Sequence, residues 1–120
     1  MSTAEQPQGG DTISIYQVLQ WSVNEPDTGA CERAIVELAE HVRTVHPTAK
    51  SFRTYRQVWG SRPWRAYVCY LEYENLTAME ADPDTPACDA VWAPIFAAAQ
   101  PGTFATAVWS DRLRASWFER

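Results

Sequence analysis

Hydrophobic and polar positions alternate near the start of the chain, between residues 13 and 23. Ile13, Ile15, Leu19 and Trp21 fall on one side of this alternation. A period of two residues is typical of a β-strand that buries one of its faces. We therefore predict that the first strand covers residues 13–23.

A helical pattern follows a loop that contains Pro26 and Gly29. Hydrophobic residues then recur at intervals of three and four, at Ile35, Leu38, Ala39, Val42 and Val45. This spacing predicts a helix over residues 30–46. The helix should stop before Pro47, because the residue preceding a proline is disfavoured in the α region.

Two runs rich in aromatic and β-branched residues occupy positions 51–59 and 64–73. The four residues between them have the length of a hairpin loop. If Trp59 faces Trp64, the register of the whole hairpin follows. That register pairs Gln57 with Ala66, Tyr55 with Val68 and Arg53 with Tyr70.

A second helical region follows the hairpin. Residues 76–81 predict a short helical turn, and Thr85 and Pro86 have the residue types of an N-cap and a first helical position. The next helix has one apolar face, formed by Cys88, Trp92, Ile95, Phe96 and Ala99. We expect Pro94 to kink this helix.

The pair Pro101-Gly102 should end that helix, and residues 103–109 predict a fourth strand. The element order is therefore βαββαβ, that of an α+β ferredoxin-like fold. We expect a four-stranded antiparallel sheet with both helices on one face. Residues 13–111 would form this single domain, with a disordered tail over residues 1–12 and an amphipathic tail over 112–120.

Composition limits the class of protein. Of the 120 residues, 46% are hydrophobic and 21% are charged. This balance excludes an intrinsically disordered chain, and no apolar run approaches the roughly 18 residues of a membrane span. Ten basic residues against fifteen acidic ones give a formal net charge of −5. Nucleic acid and anionic membranes are therefore poor candidate partners, since both require clustered cations.

The three cysteines, Cys31, Cys69 and Cys88, are odd in number and far apart. They lack the Cys-x-x-Cys spacing that is typical of a zinc or redox site. We therefore expect buried free thiols, no metal site, and a cytoplasmic location in which thiols remain reduced.

Neither face of the predicted hairpin is polar. One face carries Tyr55, Trp59, Trp64, Val68 and Tyr70. The other carries Phe52, Val58, Tyr67, Cys69, Leu71 and Tyr73. Two helices cover only one face of a four-stranded sheet, and soluble monomers rarely expose a large apolar patch. The pattern therefore predicts a homodimer that packs sheet against sheet.

The element order resembles that of the dimeric α+β barrel superfamily, which includes antibiotic-biosynthesis monooxygenases and NIPSNAP-like proteins. The resemblance covers residues 13–113. It rests on this order, on the segment 82–92 with its helical Trp92, and on Pro101-Gly102 followed by a closing strand with Trp109. It implies a dimer whose ligand lies between the sheet and the helices of each subunit.

Three residues are candidates for catalysis. His41 is a general base candidate, because histidine titrates near neutrality, although a histidine near a helix C-terminus is also favoured by the helix dipole. Arg56 and Tyr67 share a strand face and could hold a substrate oxyanion. The alternative for Arg56 is an ion pair across the dimer with Glu72 or Glu74.

Four further residues are candidates for substrate binding: Gln17, Trp21, Trp92 and Tyr55. The tryptophans could line a slot for a flat ligand, but aromatic residues at this spacing also form cores and dimer interfaces. Gln17 interrupts an apolar strand face, so it needs either a ligand or neighbouring side chains as hydrogen-bond partners.

The sequence contains no Ser-His-Asp arrangement, phosphate loop or paired carboxylate motif. The superfamily resemblance implies a small-molecule tailoring enzyme, similar to cofactor-independent monooxygenases that act on a planar phenolic or enolisable substrate. No cofactor is expected, and the second helix lacks the histidine that haem-binding members of the superfamily use. The Asn and Trp pair of some of those oxygenases is missing. The alternatives are a non-catalytic ligand-binding protein and a cyclase or isomerase.

Overall fold

Four strands and three α-helices make up the part of the chain that the computed structural model describes, residues 14–58 and 65–111. The elements are β1 (Ile15–Val23), α1 (Thr28–Val45), β2 (Ala49–Arg56), β3 (Arg65–Tyr73), α2 (Leu76–Ala81), α3 (Pro86–Ala98) and β4 (Ala105–Ser110). A short 3-10 turn, Glu25–Asp27, precedes α1. The two predicted tails and the Trp59–Trp64 pair lie outside the described residues.

The strands form one antiparallel sheet in the order β2, β3, β1, β4. This order confirms the predicted ferredoxin-like fold. The predicted hairpin register is also confirmed, because Tyr55 pairs with Val68 and Arg53 pairs with Tyr70. The alternation of side chains across each strand therefore determines which residues face the helices.

The helix boundaries follow local signals. Thr85 is the N-cap of α3, and its hydroxyl accepts a hydrogen bond from the Cys88 backbone N–H at 3.1 Å. Pro86 occupies the start of the helix, as predicted, and the helix continues past Pro94 to Ala98. Both long helices therefore begin and end within about two residues of the predicted positions.

The closing strand begins two residues later than predicted. Thr103 is part of a turn, because its backbone N–H donates to the Gln100 carbonyl at 3.1 Å and its hydroxyl lies 2.7 Å from the same oxygen. The Thr103 hydroxyl also accepts from the Ser22 backbone N–H at 3.1 Å. These bonds hold the chain in the turn and delay its pairing with β1 until Ala105.

Helices α1 and α3 cover one face of the sheet and enclose the core. Its members include Trp21, Val23, Leu38, Tyr67, Leu71, Tyr73, Trp92 and Ile95. All three cysteines are buried and free, as expected. No helix among the described residues is long and apolar enough to cross a membrane.

The opposite face of the sheet has no helix against it within the described residues. Tyr55 is 52% exposed and Trp109 is 60% exposed, while Tyr16 and Tyr70 are half-buried. We call this surface the open face; on β4 it comprises Ala105, Ala107 and Trp109. It has a shallow groove of about 460 Å³ that Tyr16, Val18 and Arg53 help to line.

Candidate functional site

Arg56 and Tyr67 are direct cross-strand partners on β2 and β3. They share one face of the sheet, as the sequence pattern predicted, and the structure shows that this is the helix-covered face. Tyr67 is only 3% exposed, whereas the Arg56 side chain is 44% exposed. The pair therefore lies at the edge of the core, with one member inside it and the other at the surface.

Glu32, near the start of α1, joins these two side chains. Its Oε2 atom accepts a hydrogen bond from Arg56 Nη1 at 2.7 Å and another from the Tyr67 hydroxyl at 2.7 Å. The ion pair of Arg56 with Glu72 or Glu74 across a dimer stays a prediction, because Glu32 is the partner of Arg56 within this chain. Glu72 points to the open face and accepts from the hydroxyls of Ser14 and Ser51 at 2.7 and 2.9 Å.

The charges of the three groups follow from these contacts. Hydrogen bonds from Tyr67 and Arg56 lower the pKa of the Glu32 carboxyl, so the carboxylate is ionised at neutral pH. Burial raises the pKa of Tyr67, and the neighbouring Glu32 carboxylate raises it further. Tyr67 is therefore a protonated hydrogen-bond donor, and Glu32 carries the negative charge.

This junction opens into a cleft of about 420 Å³ between α1 and the end of β2. The cleft has one polar end, formed by Glu32, Arg56 and Tyr67, and its remaining walls are mostly apolar. Those walls are formed by Ile35, Val36, Thr54, Tyr55 and Val58. Tyr55, predicted to bind substrate, thus shares a cleft with the two predicted anion-binding residues.

Trp21 lies behind the cleft. Its ring stacks on Tyr67 with centroids 5.8 Å apart and on Phe104 with centroids 5.6 Å apart. Its indole N–H donates to the Cys31 sulfur at 3.4 Å, and the residue is only 2% exposed. Trp21 therefore supports Tyr67 from the core side, and the rings around it fill the space that a flat ligand would need.

The other two predicted binding residues lie elsewhere. Trp92 packs on Phe96 and donates its indole N–H to His46 at 2.9 Å. Gln17 faces the helices from the middle of β1, between Leu71 and Val108, and is half-buried. Neither residue lines the cleft at Arg56.

His41 is on the exposed side of α1. Its side chain is 48% exposed, and its Nδ1 atom lies 3.0 Å from the backbone carbonyl of Glu37. Nine residues separate it from Glu32, which is about 13 Å along a helix axis. The structure therefore does not bring His41 to the cleft at Arg56 and Tyr67.

Glu32 was missed in the sequence, although a signal for it exists. It precedes Ile35 by three residues, so its carboxylate lies on the same side of the helix as the apolar stripe, one turn before it. A carboxylate on such a stripe requires a partner. The sequence does not reveal that partner, because Arg56 is 24 residues away and comes from a strand.

Among the described residues, no group of three or more His, Cys, Asp or Glu side chains is arranged to hold a metal ion. What the cleft offers is an ion pair and a phenol beside apolar walls. A guanidinium that donates to an oxyanion and a carboxylate that accepts a proton are the components of acid–base chemistry on a phenol or an enol.

Comparison with known proteins finds solved structures with a similar fold. No protein-family profile and no curated protein sequence matches the chain. Among solved structures it is similar to a protein from Caulobacter crescentus CB15, provisionally described as an antibiotic biosynthesis monooxygenase. The identity is 15%, the match covers 88% of this chain and 95% of that one, and the TM-score is 0.65.

Two further structures have similar scores. SnoaB, a cofactor-independent oxygenase from Streptomyces nogalater, is 13% identical over 86% of this chain and 97% of its own, with a TM-score of 0.65. A dimeric ferredoxin-like protein of unknown function from Thermobifida fusca YX is 15% identical over 82% and 91%, with a TM-score of 0.62. The chain has the ferredoxin-like fold. At this level of identity the likeness extends to the fold alone.

Proposed function

We propose that the chain is a small-molecule tailoring enzyme, a cofactor-independent monooxygenase for planar phenolic or enolisable substrates. The observation that carries this proposal is the junction of Arg56, Glu32 and Tyr67 at the polar end of an apolar cleft. Its volume of about 420 Å³ lies within the range of small-molecule sites, roughly 300 to 1,000 Å³. The fold that the chain shares with SnoaB supports the same reaction class.

Substrate binding uses both ends of the cleft. The rings of the substrate pack against Ile35, Val36 and Tyr55, and its hydroxyl or carbonyl oxygen points toward Arg56. Arg56 has five N–H donors, and its Nη1 atom donates to Glu32. Further donors of the guanidinium can hydrogen-bond the substrate oxygen and favour its anionic form.

Proton removal is assigned to Glu32. While Arg56 and Tyr67 both donate to its carboxylate, its lowered pKa makes it a weak base. When the substrate oxygen takes a share of the Arg56 charge, the carboxylate loses part of that stabilisation and becomes more basic. Proton transfer and oxyanion formation are thereby coupled through one guanidinium.

The oxidation itself needs only the substrate anion and O₂. Electrons from the carbanion form of the substrate reduce O₂, and a carbon–oxygen bond forms at that carbon. One oxygen atom remains in the product as a carbonyl, and the other leaves as water, so that a CH₂ group and O₂ give C=O and H₂O. The protein contributes binding and charge stabilisation.

This assignment differs from the sequence-based prediction, in which His41 was the base. That prediction remains untested, and the geometry favours Glu32, which contacts Arg56 and Tyr67 directly. The two assignments are separated by paired variants. Glu32→Gln keeps the size of the side chain and removes its basicity, and His41→Ala removes the imidazole.

The test is oxygen uptake with a panel of planar phenols and enolisable three-ring ketones such as anthrone. We expect wild-type uptake, a loss of about 10²- to 10⁴-fold in Glu32→Gln, and near wild-type rates in His41→Ala. Glu37→Gln, on the exposed side of the same helix, is the matched carboxylate control. Loss of activity in His41→Ala with normal rates in Glu32→Gln would return the role of base to the histidine.

Binding without turnover is measured in the same samples. If tryptophan quenching reports binding of these compounds and no oxygen is consumed, the chain is a ligand-binding protein or a cyclase or isomerase. If neither quenching nor uptake occurs with any member of the panel, the proposed substrate class is wrong.

We also infer that the chain works as a homodimer in the cytoplasm. The apolar open face supports the dimer, and several structurally similar proteins are described as dimeric. Three buried free thiols are compatible with a reducing compartment.

A further inference from the structure

His46 lies just after α1, where α1, β3, α3 and the segment between α2 and α3 meet. Its side chain is 11% exposed. Its Nδ1 atom is 2.7 Å from Asp82 Oδ2, and its Nε2 atom is 2.9 Å from Trp92 Nε1. An indole N–H can only donate, so Nε2 must accept. The remaining ring proton is therefore on Nδ1, which donates to Asp82.

Asp82 connects this pair to the rest of the fold. The Tyr73 hydroxyl donates to the same Oδ2 atom at 2.7 Å, and the Asp82 side chain is 8% exposed. The neighbouring Thr48 donates its hydroxyl to the Ala78 carbonyl of α2 at 2.7 Å. We call Tyr73, Asp82, His46 and Trp92 the relay, because each member hydrogen-bonds to the next.

Cys88 also approaches the ring, with its sulfur 3.8 Å from His46 Nε2. The order Cys-His-Asp is that of a nucleophilic site, but here Trp92 occupies the lone pair that would receive the thiol proton. Burial raises the pKa of the Cys88 thiol, and the charges of Asp82 and Asp89 raise it further. The thiol therefore stays protonated, and the relay has a different role from a nucleophilic triad.

We propose that His46 is a pH-sensitive latch that holds Trp92 only while its imidazole is neutral. In imidazolium both ring nitrogens are donors. Protonation therefore places two N–H groups against each other between His46 and Trp92 and removes the hydrogen bond. The bond to Asp82 survives and becomes an ion pair, so the contact that breaks is the one to α3.

Release of Trp92 reaches further into the fold through ring contacts. Trp92 stacks on Phe96 with centroids 5.9 Å apart, and Phe96 packs edge-on against Phe104 at 4.8 Å. Phe104 in turn stacks on Trp21. The latch therefore controls the packing of α3 against the aromatic core, whatever reaction the protein performs.

Some of the charged groups around His46 favour protonation of its ring, and others oppose it. Asp82, in direct contact, favours the protonated ring, and Tyr73 and Cys88 are neutral because burial raises the pKa of each. Arg43 from α1 and Lys50 from β2 line the same cleft as His46 and oppose protonation. Both cations are exposed, so solvent and salt weaken their effect relative to a contact of 2.7 Å.

The test is nuclear magnetic resonance of the ring nitrogens between pH 8 and pH 5. The chain has two histidines, so His41, which is exposed, provides an internal reference. At pH 8 we expect the Nδ1–H tautomer for His46. On acidification its titration should be accompanied, at the same midpoint, by a shift of the Trp92 indole N–H resonance. A Trp92 resonance that stays unchanged while His46 titrates would overturn the proposal.

Two variants make the test independent of that single resonance. In His46→Gln the side-chain amide can accept from Trp92 and donate to Asp82 but cannot be protonated, so the Trp92 signal should not respond to pH. Trp92→Phe keeps a ring and removes the donor to Nε2, so the imidazole of His46 should take up its proton at a higher pH than in the wild type. An unchanged midpoint in Trp92→Phe, or a persistent response in His46→Gln, would contradict the latch.

Discussion

At the scale of single residues, one carboxylate oxygen organises the candidate site. Glu32 Oε2 receives hydrogen bonds from two strands, whereas Glu37, five residues later in the same helix, lies 3.8 Å from His41 at the surface. The two glutamates have the same chemistry and different surroundings. Their comparison isolates the effect of the contacts on Glu32.

We predict that Glu32 contributes to stability at neutral pH and that this contribution is lost in acid. Its pKa is lower in the fold than the ordinary value of 4.5, so the unfolded chain takes up the proton first as the pH falls. The stabilisation is thus present above about pH 4.5 and disappears as the pH falls through the folded-state value. Urea unfolding of wild type and Glu32→Gln at pH 7 and pH 3 measures this difference.

The size of the effect is limited by exposure. The Glu32 side chain is 40% exposed, and exposed ion pairs contribute about 1 kcal/mol or less. Glu37→Gln should show no comparable loss at pH 7. If Glu32→Gln and wild type differed equally at both pH values, the hydrogen bonds to the ionised carboxylate would not be the source of the stability.

At the scale of elements, N-cap residues predict where a helix begins, because the cap bonds to a backbone group within the first turn. Thr85 accepts from the backbone N–H three residues later, and Asn75 does the same for α2 at 2.7 Å. Each cap satisfies a donor that has no partner inside its helix. Such contacts need no knowledge of the rest of the fold, which is why the sequence predicted the start of α3 correctly.

We predict that Thr85→Ala lowers the free energy of unfolding by about 1 kcal/mol, the usual value of an N-cap side chain. Thr85→Ser keeps the hydroxyl and should recover most of that loss. Thermal or urea unfolding of both variants measures the effect. Equal stability of the alanine and serine variants would show that the hydroxyl does not stabilise this helix.

At the scale of the whole molecule, the sheet has one face without a helix against it among the described residues. Its exposed members, Tyr55, Ala105, Ala107 and Trp109, lie on the side away from α1 and α3. Val18 is only 4% exposed even there, and it lines the groove of this face together with Tyr16 and Tyr70. A surface with exposed aromatic side chains of this kind is suited to a second copy of itself.

We predict a homodimer that is abolished by a charge on the open face, at the middle of the edge strand β4. Ala107 pairs with Val18 across the strands, so Ala107→Arg places a cation there without a partner. Ala97→Arg, on the exposed side of α3, is the control and should remain dimeric. Sedimentation at micromolar concentration measures both. A monomeric wild type, or a dimeric Ala107→Arg variant, would contradict this interface.

The sequence by itself determined the features that depend on periodicity and on short-range chemistry. Alternation located the strands, helical spacing located α1, and a fixed loop length gave the register that pairs Arg53 with Tyr70. It also placed Arg56 and Tyr67 on one face, since residues at matched positions of paired strands share a side. The positions of the strands and of α1 depend on residues close together in the chain, and the shared face depends only on the pairing of β2 with β3.

Only the tertiary structure decided which charged groups meet. Glu32 and Arg56 are 24 residues apart, and His46 and Asp82 are 36 apart, so no local pattern connects them. Their contacts depend on where α1 lies across the sheet, which the packing of Leu38 and Ile95 in the core sets. The same packing placed Trp92 with His46 and left His41 at the surface. The residue types of the site were therefore visible in the sequence, whereas their partners followed from the shape of the core.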